Sequence, residues 1–189
     1  MQQLINHIQK HVALTADEQA VLSFSLTSFK INKKEFLLKA GSVCKANYFV
    51  VQGCLRMYIV NAKGVEQMIQ FGIDNWWLTD YMSLDSKQPS EFCIQAVEDA
   101  EVIALDTETQ ELLLQKIPKL ERYFRLVAEK SYGASLMRIH FIFSFSKEER
   151  YKHFKMRHPE FVQRVPQYLL ASYLGFTPEF MSKIRAKKE

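Results

Sequence analysis

Few residues in this chain are of types that carry out chemistry, and their spacing argues against catalysis. The cysteines Cys44, Cys54 and Cys93 are far apart and form no Cys-x-x-Cys pair, so they indicate neither a disulfide framework nor a metal cluster. His7 and His11 lie one helical turn apart, but no third ligand is near them in the sequence. We find no nucleophile–base arrangement and no phosphate-binding glycine loop. We therefore expect no enzymatic activity, no metal and no cofactor.

Residues 167–186 have small, glycine and apolar residues at a spacing typical of a helix-turn-helix, with polar and basic side chains between them. The small Ala171 suits the point where two helices cross, and Gly175 suits a turn that requires positive φ. Side chains near the start of a recognition helix read base edges, and basic side chains also hold phosphates. A helical hairpin with a solvated basic face is the alternative. The residues predicted to contact DNA are Thr177, Glu179, Ser182, Lys183, Arg185 and Lys187.

The positive charge of the chain is concentrated in the same region. The 189 residues have a formal net charge of +4, and residues 147–189 alone hold 10 Lys and Arg against 5 Asp and Glu. A basic end favours a polyanionic partner such as double-stranded DNA. No stretch reaches the roughly 20 apolar residues of a membrane span, so we expect a cytoplasmic protein that does not associate with a membrane.

The elements that must position this segment begin with a helical region over residues 1–28. Thr15 and Glu18 have the spacing of a capping box at the start of its second helix. From Phe29 the pattern changes to short strands separated by turn residues, which favours an antiparallel barrel or jelly roll. The strands are predicted at 36–38, 48–51, 55–60, 65–71, 92–96 and 102–105.

A helix of about 27 residues, roughly 40 Å long, is predicted over 119–145. A small barrel cannot cover the apolar stripe of so long a helix, so we expect a partner helix from a second subunit to do so. Packing within one chain is the alternative. Ser131 and Arg138 interrupt the stripe. Its members are Leu120, Phe124, Val127, Ala134, Phe141 and Phe145.

A domain boundary is predicted directly after the long helix. Ser146 and Glu149 have the spacing of a second capping box, which indicates that a new helix begins there. The chain is therefore divided into a β-rich domain over 1–118, a dimerisation helix over 119–145 and a DNA-binding domain over 146–189.

The order of these parts resembles the family of the bacterial cyclic-AMP receptor protein and the fumarate–nitrate regulator. The resemblance covers nearly the whole chain, and its sensor signature is Tyr-Phe-Val-Val-Gln-Gly-Cys-Leu-Arg-Met-Tyr at 48–58, followed by Gly64 and a strand into residues 71–72. It implies an α+β fold: an N-terminal antiparallel β-roll of the cyclic-nucleotide-binding jelly-roll type, a long dimerisation helix and a C-terminal helix-turn-helix. It also implies a DNA-binding transcription regulator that acts as a homodimer on a palindromic operator and contacts RNA polymerase if it is an activator.

The resemblance fails at the phosphate cassette. Nucleotide-binding members carry Gly-Glu, which holds the ribose, and about ten residues later Arg-Ser or Arg-Thr, which neutralises the phosphate. Thr79 and Asp80 fall at the first pair, and Ser90 and Glu91 at the second. These four residues form a candidate effector pocket, but burying a phosphate beside carboxylates without a cation is costly, so we expect no usual response to cyclic AMP. Arg56 is the nearest alternative cation and is expected on an exposed strand face; the effector stays unknown.

One functional alternative and two local features complete the sequence-based interpretation. A ligand-binding or protein-interaction module of the same fold, without DNA-binding activity, would show weak DNA affinity that falls little with salt. Residues 159–166 are few, so the β-hairpin wing that family members often carry there is expected to be reduced or absent. Trp76 and Trp77, just before the cassette, are predicted to pack in the core rather than to line a pocket.

Overall fold

The structure, a computed structural model, describes residues 1–186 and starts with two helices, Gln2–Gln9 (α1) and Ala16–Ser25 (α2). Helix α2 begins at the predicted capping box. The Thr15 hydroxyl accepts a hydrogen bond from the Glu18 amide at 3.3 Å, and the Glu18 carboxylate accepts one from the Thr15 amide at 2.7 Å. The two bonds satisfy amides that the start of a helix otherwise leaves unpaired.

The middle of the chain is a β-roll built from two four-stranded antiparallel sheets, which confirms the fold class predicted from the sequence. The strands are Ser28–Ile31 (β1), Phe36–Leu38 (β2), Asn47–Gln52 (β3), Cys54–Val60 (β4), Glu66–Ile73 (β5), Trp77–Leu78 (β6), Cys93–Ala96 (β7) and Ala100–Leu105 (β8). The strand order is β1-β8-β3-β6 in one sheet and β2-β7-β4-β5 in the other. Strand β5 therefore lies at the edge of the second sheet.

Three short elements of the roll were not predicted: β1, β6 and the helix Tyr81–Ser86 (α3). Each is too short to produce a clear periodic pattern. Trp77, in β6, lies in the core as predicted. The same prediction was wrong for Trp76, which is 45% exposed because it follows the turn between β5 and β6.

The core has one part inside the roll and another between the roll and the helices. The interior of the roll is filled by apolar side chains, and Val50, Leu55, Ile94 and Val102 there are 0% exposed. The second part joins α1 and α2 to β3, β8 and the helices that follow the roll. Its fully buried members include Leu4, Ile8, Leu22, Phe49, Ile103 and Tyr123.

Helices make up the rest of the described chain. They are Thr107–Lys116 (α4), Leu120–Ser144 (α5), Lys147–Arg157 (α6), Pro159–Arg164 (α7), Gln167–Leu174 (α8) and Pro178–Ala186 (α9). Helix α5 has 25 residues and ends within one residue of the predicted long helix at each side. Helix α6 begins at the predicted capping box of Ser146 and Glu149. Helix α7 stands where the wing was expected to be reduced or absent. Over residues 1–186, no helix has both the length and the apolarity needed to cross a bilayer.

Most of the stripe predicted to face a second subunit also has contacts within the chain, and its contact with a partner stays a prediction. Near the start of α5, Phe124 and Val127 pack against the core beside α1. Near its end, the rings of Phe141 and Phe145 lie 5.9 and 4.9 Å from a histidine ring of α6, because α6 turns back along α5. Ala134 is exposed. The large apolar side chains that α5 exposes are Tyr132, Leu136, Met137, Ile139, Ile142 and Phe143.

Candidate nucleic-acid interface and effector pocket

Helices α8 and α9 are joined by a tight turn that positions the residues predicted to contact DNA. Gly175 ends α8 with a φ of +75°, a left-handed conformation that glycine adopts without strain, as predicted from the sequence. Its amide donates to the Ser172 carbonyl at 3.1 Å, and the Phe176 amide donates to the Ala171 carbonyl at 2.8 Å. These bonds satisfy the last carbonyls of α8 and reverse the direction of the chain.

A small apolar core holds α8 and α9 against α6. Ala171 is 0% exposed, so a larger side chain there would push its neighbours apart. Packing of the opposite side of α9 into this core leaves its polar side facing outward. The buried members are Tyr151, Leu170, Ala171, Leu174, Phe176 and Met181.

The outer face of α9 brings the predicted contact residues together. The exposed ones are Thr177, Glu179, Ser182, Lys183 and Arg185. The Thr177 hydroxyl caps the helix by accepting from the Phe180 amide at 3.3 Å. Hydrogen bonds from its own backbone and from Thr177 hold the pKa of Glu179 below its usual range, so this carboxylate is charged at neutral pH. Lys187, the sixth predicted residue, lies outside the described residues.

Arg150 of α6 supports the turn, and sequence reasoning missed this role. Its guanidinium donates to the Leu174 carbonyl at 3.0 Å and lies 5.3 Å from the centroid of the Phe176 ring. A cation at the end of α8 complements the negative end of the helix dipole. The sequence held no local signal for this contact, because the two bonded residues are 24 positions apart.

Three of the four residues of the candidate effector pocket are buried and bonded to the protein itself. One carboxylate oxygen of Asp80 accepts from the amides of Met82 and Ser83 at 3.1 and 3.3 Å, which caps α3. Its other oxygen accepts from the Ser90 hydroxyl at 2.6 Å. The Thr79 hydroxyl donates to a backbone carbonyl just before β3 at 2.9 Å. The two halves of the cassette are thus joined directly.

Glu91, the fourth residue, is exposed on the outside of the roll. Together with Asp80 it lines a depression of about 310 Å³ between α3 and the segment that leads to β7. The lining includes two carboxylates and the Phe92 ring, and none of its side chains is cationic. This surface does not favour an anionic ligand.

Arg56 lies in a polar network, which corrects the prediction of an exposed strand face. The residue is 8% exposed, because β4 is a central strand flanked by β5 and β7. Its guanidinium pairs with Glu66 at 2.5 Å, and its Nε donates to the Gln95 side chain at 2.9 Å. The guanidinium also lies 4.2 Å from the centroid of the Tyr58 ring. An arginine held in this way is not available to neutralise a phosphate at the cassette.

Comparison with known proteins finds a match for one domain and for the fold. Residues 28–116 match the family model of the cyclic nucleotide-binding domain. FixK2 from Bradyrhizobium japonicum is 17% identical, with a TM-score of 0.73 over 86% of this chain and 83% of that one. The catabolite activator protein of Thermus thermophilus is 19% identical, with a TM-score of 0.56 over 95% and 85%. A transcriptional regulator of the crp/fnr family from Eubacterium rectale is 17% identical, with a TM-score of 0.68 over 90% and 82%. No curated protein matches the chain.

The domain match and the structural comparisons agree on the fold of the chain. Residues 28–116 match a cyclic nucleotide-binding domain, and the long helix and further helices that follow it complete a fold similar to that of the solved structures. This confirms the resemblance to the cyclic-AMP receptor and fumarate–nitrate regulator family at the level of domain and fold. At such low identities the likeness shows the fold, and what the chain binds is a separate question.

Proposed function

We propose that the chain is a DNA-binding transcription regulator that acts as a homodimer on a palindromic operator. The outer face of α9 carries the proposal, because Ser182, Lys183 and Arg185 are exposed there on a helix with a capped start. The major groove of DNA admits an α-helix, in which lysine and arginine donate to guanine and to phosphates. Glu179 could accept from the amino group of cytosine. Such a regulator would work in the cytoplasm and, if it is an activator, would contact RNA polymerase.

The exposed side of α5 supports dimerisation. Tyr132, Leu136, Ile139 and Phe143 follow one another at steps of four, three and four residues and are 66%, 47%, 51% and 85% exposed. Residues at such steps share one face of a helix, and an apolar face of this kind marks an interface. The α5 helices of two chains, in either parallel or antiparallel orientation, could cover each other's apolar face. A symmetric pair would present two α9 helices to successive turns of DNA.

The self-bonded cassette supports a function that does not depend on cyclic AMP. The Asp80 carboxylate accepts three hydrogen bonds from the protein, and Ser90 stands where the phosphate-binding arginine of the family would be. Arg56, the nearest alternative cation, is already paired with Glu66. A cyclic phosphate placed here would lose its hydration beside carboxylates without gaining a cation, which is unfavourable.

The decisive experiment is selection of genomic fragments by the purified protein at moderate salt, without nucleotide. We expect an enriched palindrome with half-sites about one helical turn apart. Lys183→Ala and Arg185→Ala should each weaken binding roughly 5- to 100-fold, the range of one lost base or phosphate contact. Lys63→Ala, in the exposed turn between β4 and β5, is the matched control and should bind normally. Weak binding with little salt dependence would instead favour a module without DNA-binding activity.

The cyclic AMP part of the proposal has its own test. Titration calorimetry with cyclic AMP should show no binding, and fragment selection should be unchanged when cyclic AMP is added. Enrichment that occurs only with cyclic AMP would overturn this part while supporting DNA binding. In this proposal residues 1–118 are the sensor domain, 119–145 the dimerisation helix and 146–189 the DNA-binding domain.

A further inference from the structure

The C-terminal head, residues 147–186, is held against the roll of its own chain at the edge strand β5. An edge strand presents unpaired amides and carbonyls on its outer side. The hydroxyl of Ser172, on α8, accepts from the Met68 amide at 3.0 Å and donates to the Glu66 carbonyl at 3.3 Å. One side chain of the head thus satisfies both a donor and an acceptor of the edge strand.

Arg138 of α5 joins the same two elements from the other side. Its guanidinium donates to the carbonyls of Met68 and Ile69 in β5 and to the Tyr173 carbonyl in α8, the first and last at 3.0 and 3.1 Å. It also lies 4.2 Å from the centroid of the Tyr173 ring. Burial lowers the pKa of Arg138, but an arginine keeps its charge at neutral pH. A single guanidinium therefore connects the long helix, the roll and the head.

Apolar contacts and an ion-pair cluster complete the contact between head and roll. The Phe71 ring of β5 lies 5.0 Å from the ring of Phe161 in α7 and 5.3 Å from that of Tyr173. Arg164, at the end of α7, pairs with Asp74 at 2.7 Å and with Glu98. These two carboxylates lie in the segments of the roll that follow β5 and β7. The contact thus has an apolar centre and a charged rim, as stable interfaces do.

The contact leaves the outer face of α9 exposed. We propose that Arg138 and Ser172 are positioning residues for DNA recognition. Their contacts fix the head, and with it α9, relative to the roll, in addition to the chain connection between the head and α5. Only Phe145 and Ser146, both extended, separate α5 from the head, and near this link the rings of Phe141 and Phe145 also contact α6. The inference rests on the proposed function and adds what sets the spacing of the two recognition helices in the dimer.

Fixed spacing matters because the second half-site is bound intramolecularly. Its effective concentration is high only when the geometry allows both heads to engage together. Loss of the positioning contacts should therefore leave the affinity for one half-site unchanged. It should reduce only the additional affinity that binding of the second half-site provides. If the two residues only stabilised the fold, their loss would change the affinity for a half-site and the affinity for the palindrome together.

The test uses Arg138→Met and Ser172→Ala in the full chain, with Arg125→Met as control. Arg125 lies on the same helix, and its guanidinium pairs with Glu129 one turn away, with both side chains more than half exposed. DNA recovered with the wild-type protein is offered as a single half-site, as the palindrome and as palindromes with altered spacing. We expect half-site affinity within about twofold of wild type, palindrome affinity lowered about tenfold, and a weaker preference for one spacing.

Amide hydrogen exchange provides a second readout that needs no DNA. Exchange in residues 66–69 and in α8 should accelerate in both variants and stay unchanged in the control. If palindrome affinity, spacing preference and exchange all match wild type, the proposal is wrong. If the wild-type protein selects no DNA, the proposed function fails, and the exchange measurement still decides whether the contact exists. Should Arg138→Met fail to fold, Ser172→Ala tests the same contact with one hydroxyl removed.

Discussion

Replacing Leu136 and Ile139 together by alanine should weaken the dimer about 100-fold. The two side chains are 47% and 51% exposed on α5, so roughly half of each remains to be buried by a partner. Full burial of a leucine or isoleucine is worth about 1.5–3 kcal/mol, hence about 1 kcal/mol for each half. A symmetric dimer contains four such side chains, and alanine keeps a part of each contact. The expected loss is about 3 kcal/mol of association free energy, or about two decades in the dissociation constant.

Sedimentation velocity over a wide range of protein concentration measures this change directly. Phe24→Ala is the matched control, because Phe24 is 95% exposed on α2, far from α5 in the sequence, and its removal should not affect association. Circular dichroism should show unchanged helix content, since alanine favours helices and neither side chain is needed for the fold of one chain. A dissociation constant within about threefold of wild type, or a wild-type protein that stays monomeric, would refute the reasoning about this face.

Two further predictions concern stability. Gly53→Ala should lower the free energy of unfolding by about 2–4 kcal/mol, because at φ +112° the new Cβ would lie 2.5 Å from the Ala100 Cβ; urea unfolding measures this, and Gly64→Ala, where nothing lies within 4 Å, should cost less. Burial lowers the pKa of His7 from 6.5 to about 4. The unfolded chain then binds the proton more tightly, so the free energy of unfolding should fall by about 1–2 kcal/mol between pH 7.5 and 5, and His7→Asn should remove most of this slope.

The parts of the fold that the sequence predicts are those with local causes. Both capping boxes form as expected, because each depends on residues three positions apart. The left-handed turn at Gly175 follows from the only residue type that adopts that conformation freely. The strands of the roll follow from alternation and turn residues, whereas β6 and α3 are shorter than the window in which a period can be recognised.

The parts that could not be predicted depend on contacts between distant segments. The apolar stripe of α5 was assigned to a partner because the sequence does not show that α6 turns back over Phe141 and Phe145. Likewise Arg56 has the alternating position of an exposed side chain, and its burial results from Glu66 and Gln95 on the strands beside it. A periodic pattern indicates which side chains need cover, but it does not indicate which element provides the cover.

Arg138 shows how a residue that makes a long-range contact can be mistaken in the sequence for a simple interruption of an apolar pattern. In the sequence it only interrupts an apolar stripe. In the structure it bonds to carbonyls of residues 69 and 70 positions before it and 35 positions after it. Hydrogen bonds from its two terminal nitrogens to the edge of the roll and to the head stabilise the charge in a half-buried position, while its Nε has no partner among the described residues. The interruption therefore marks the place where the roll and the C-terminal head are connected, so a charged residue within an apolar stripe is the position to test first for such a connection.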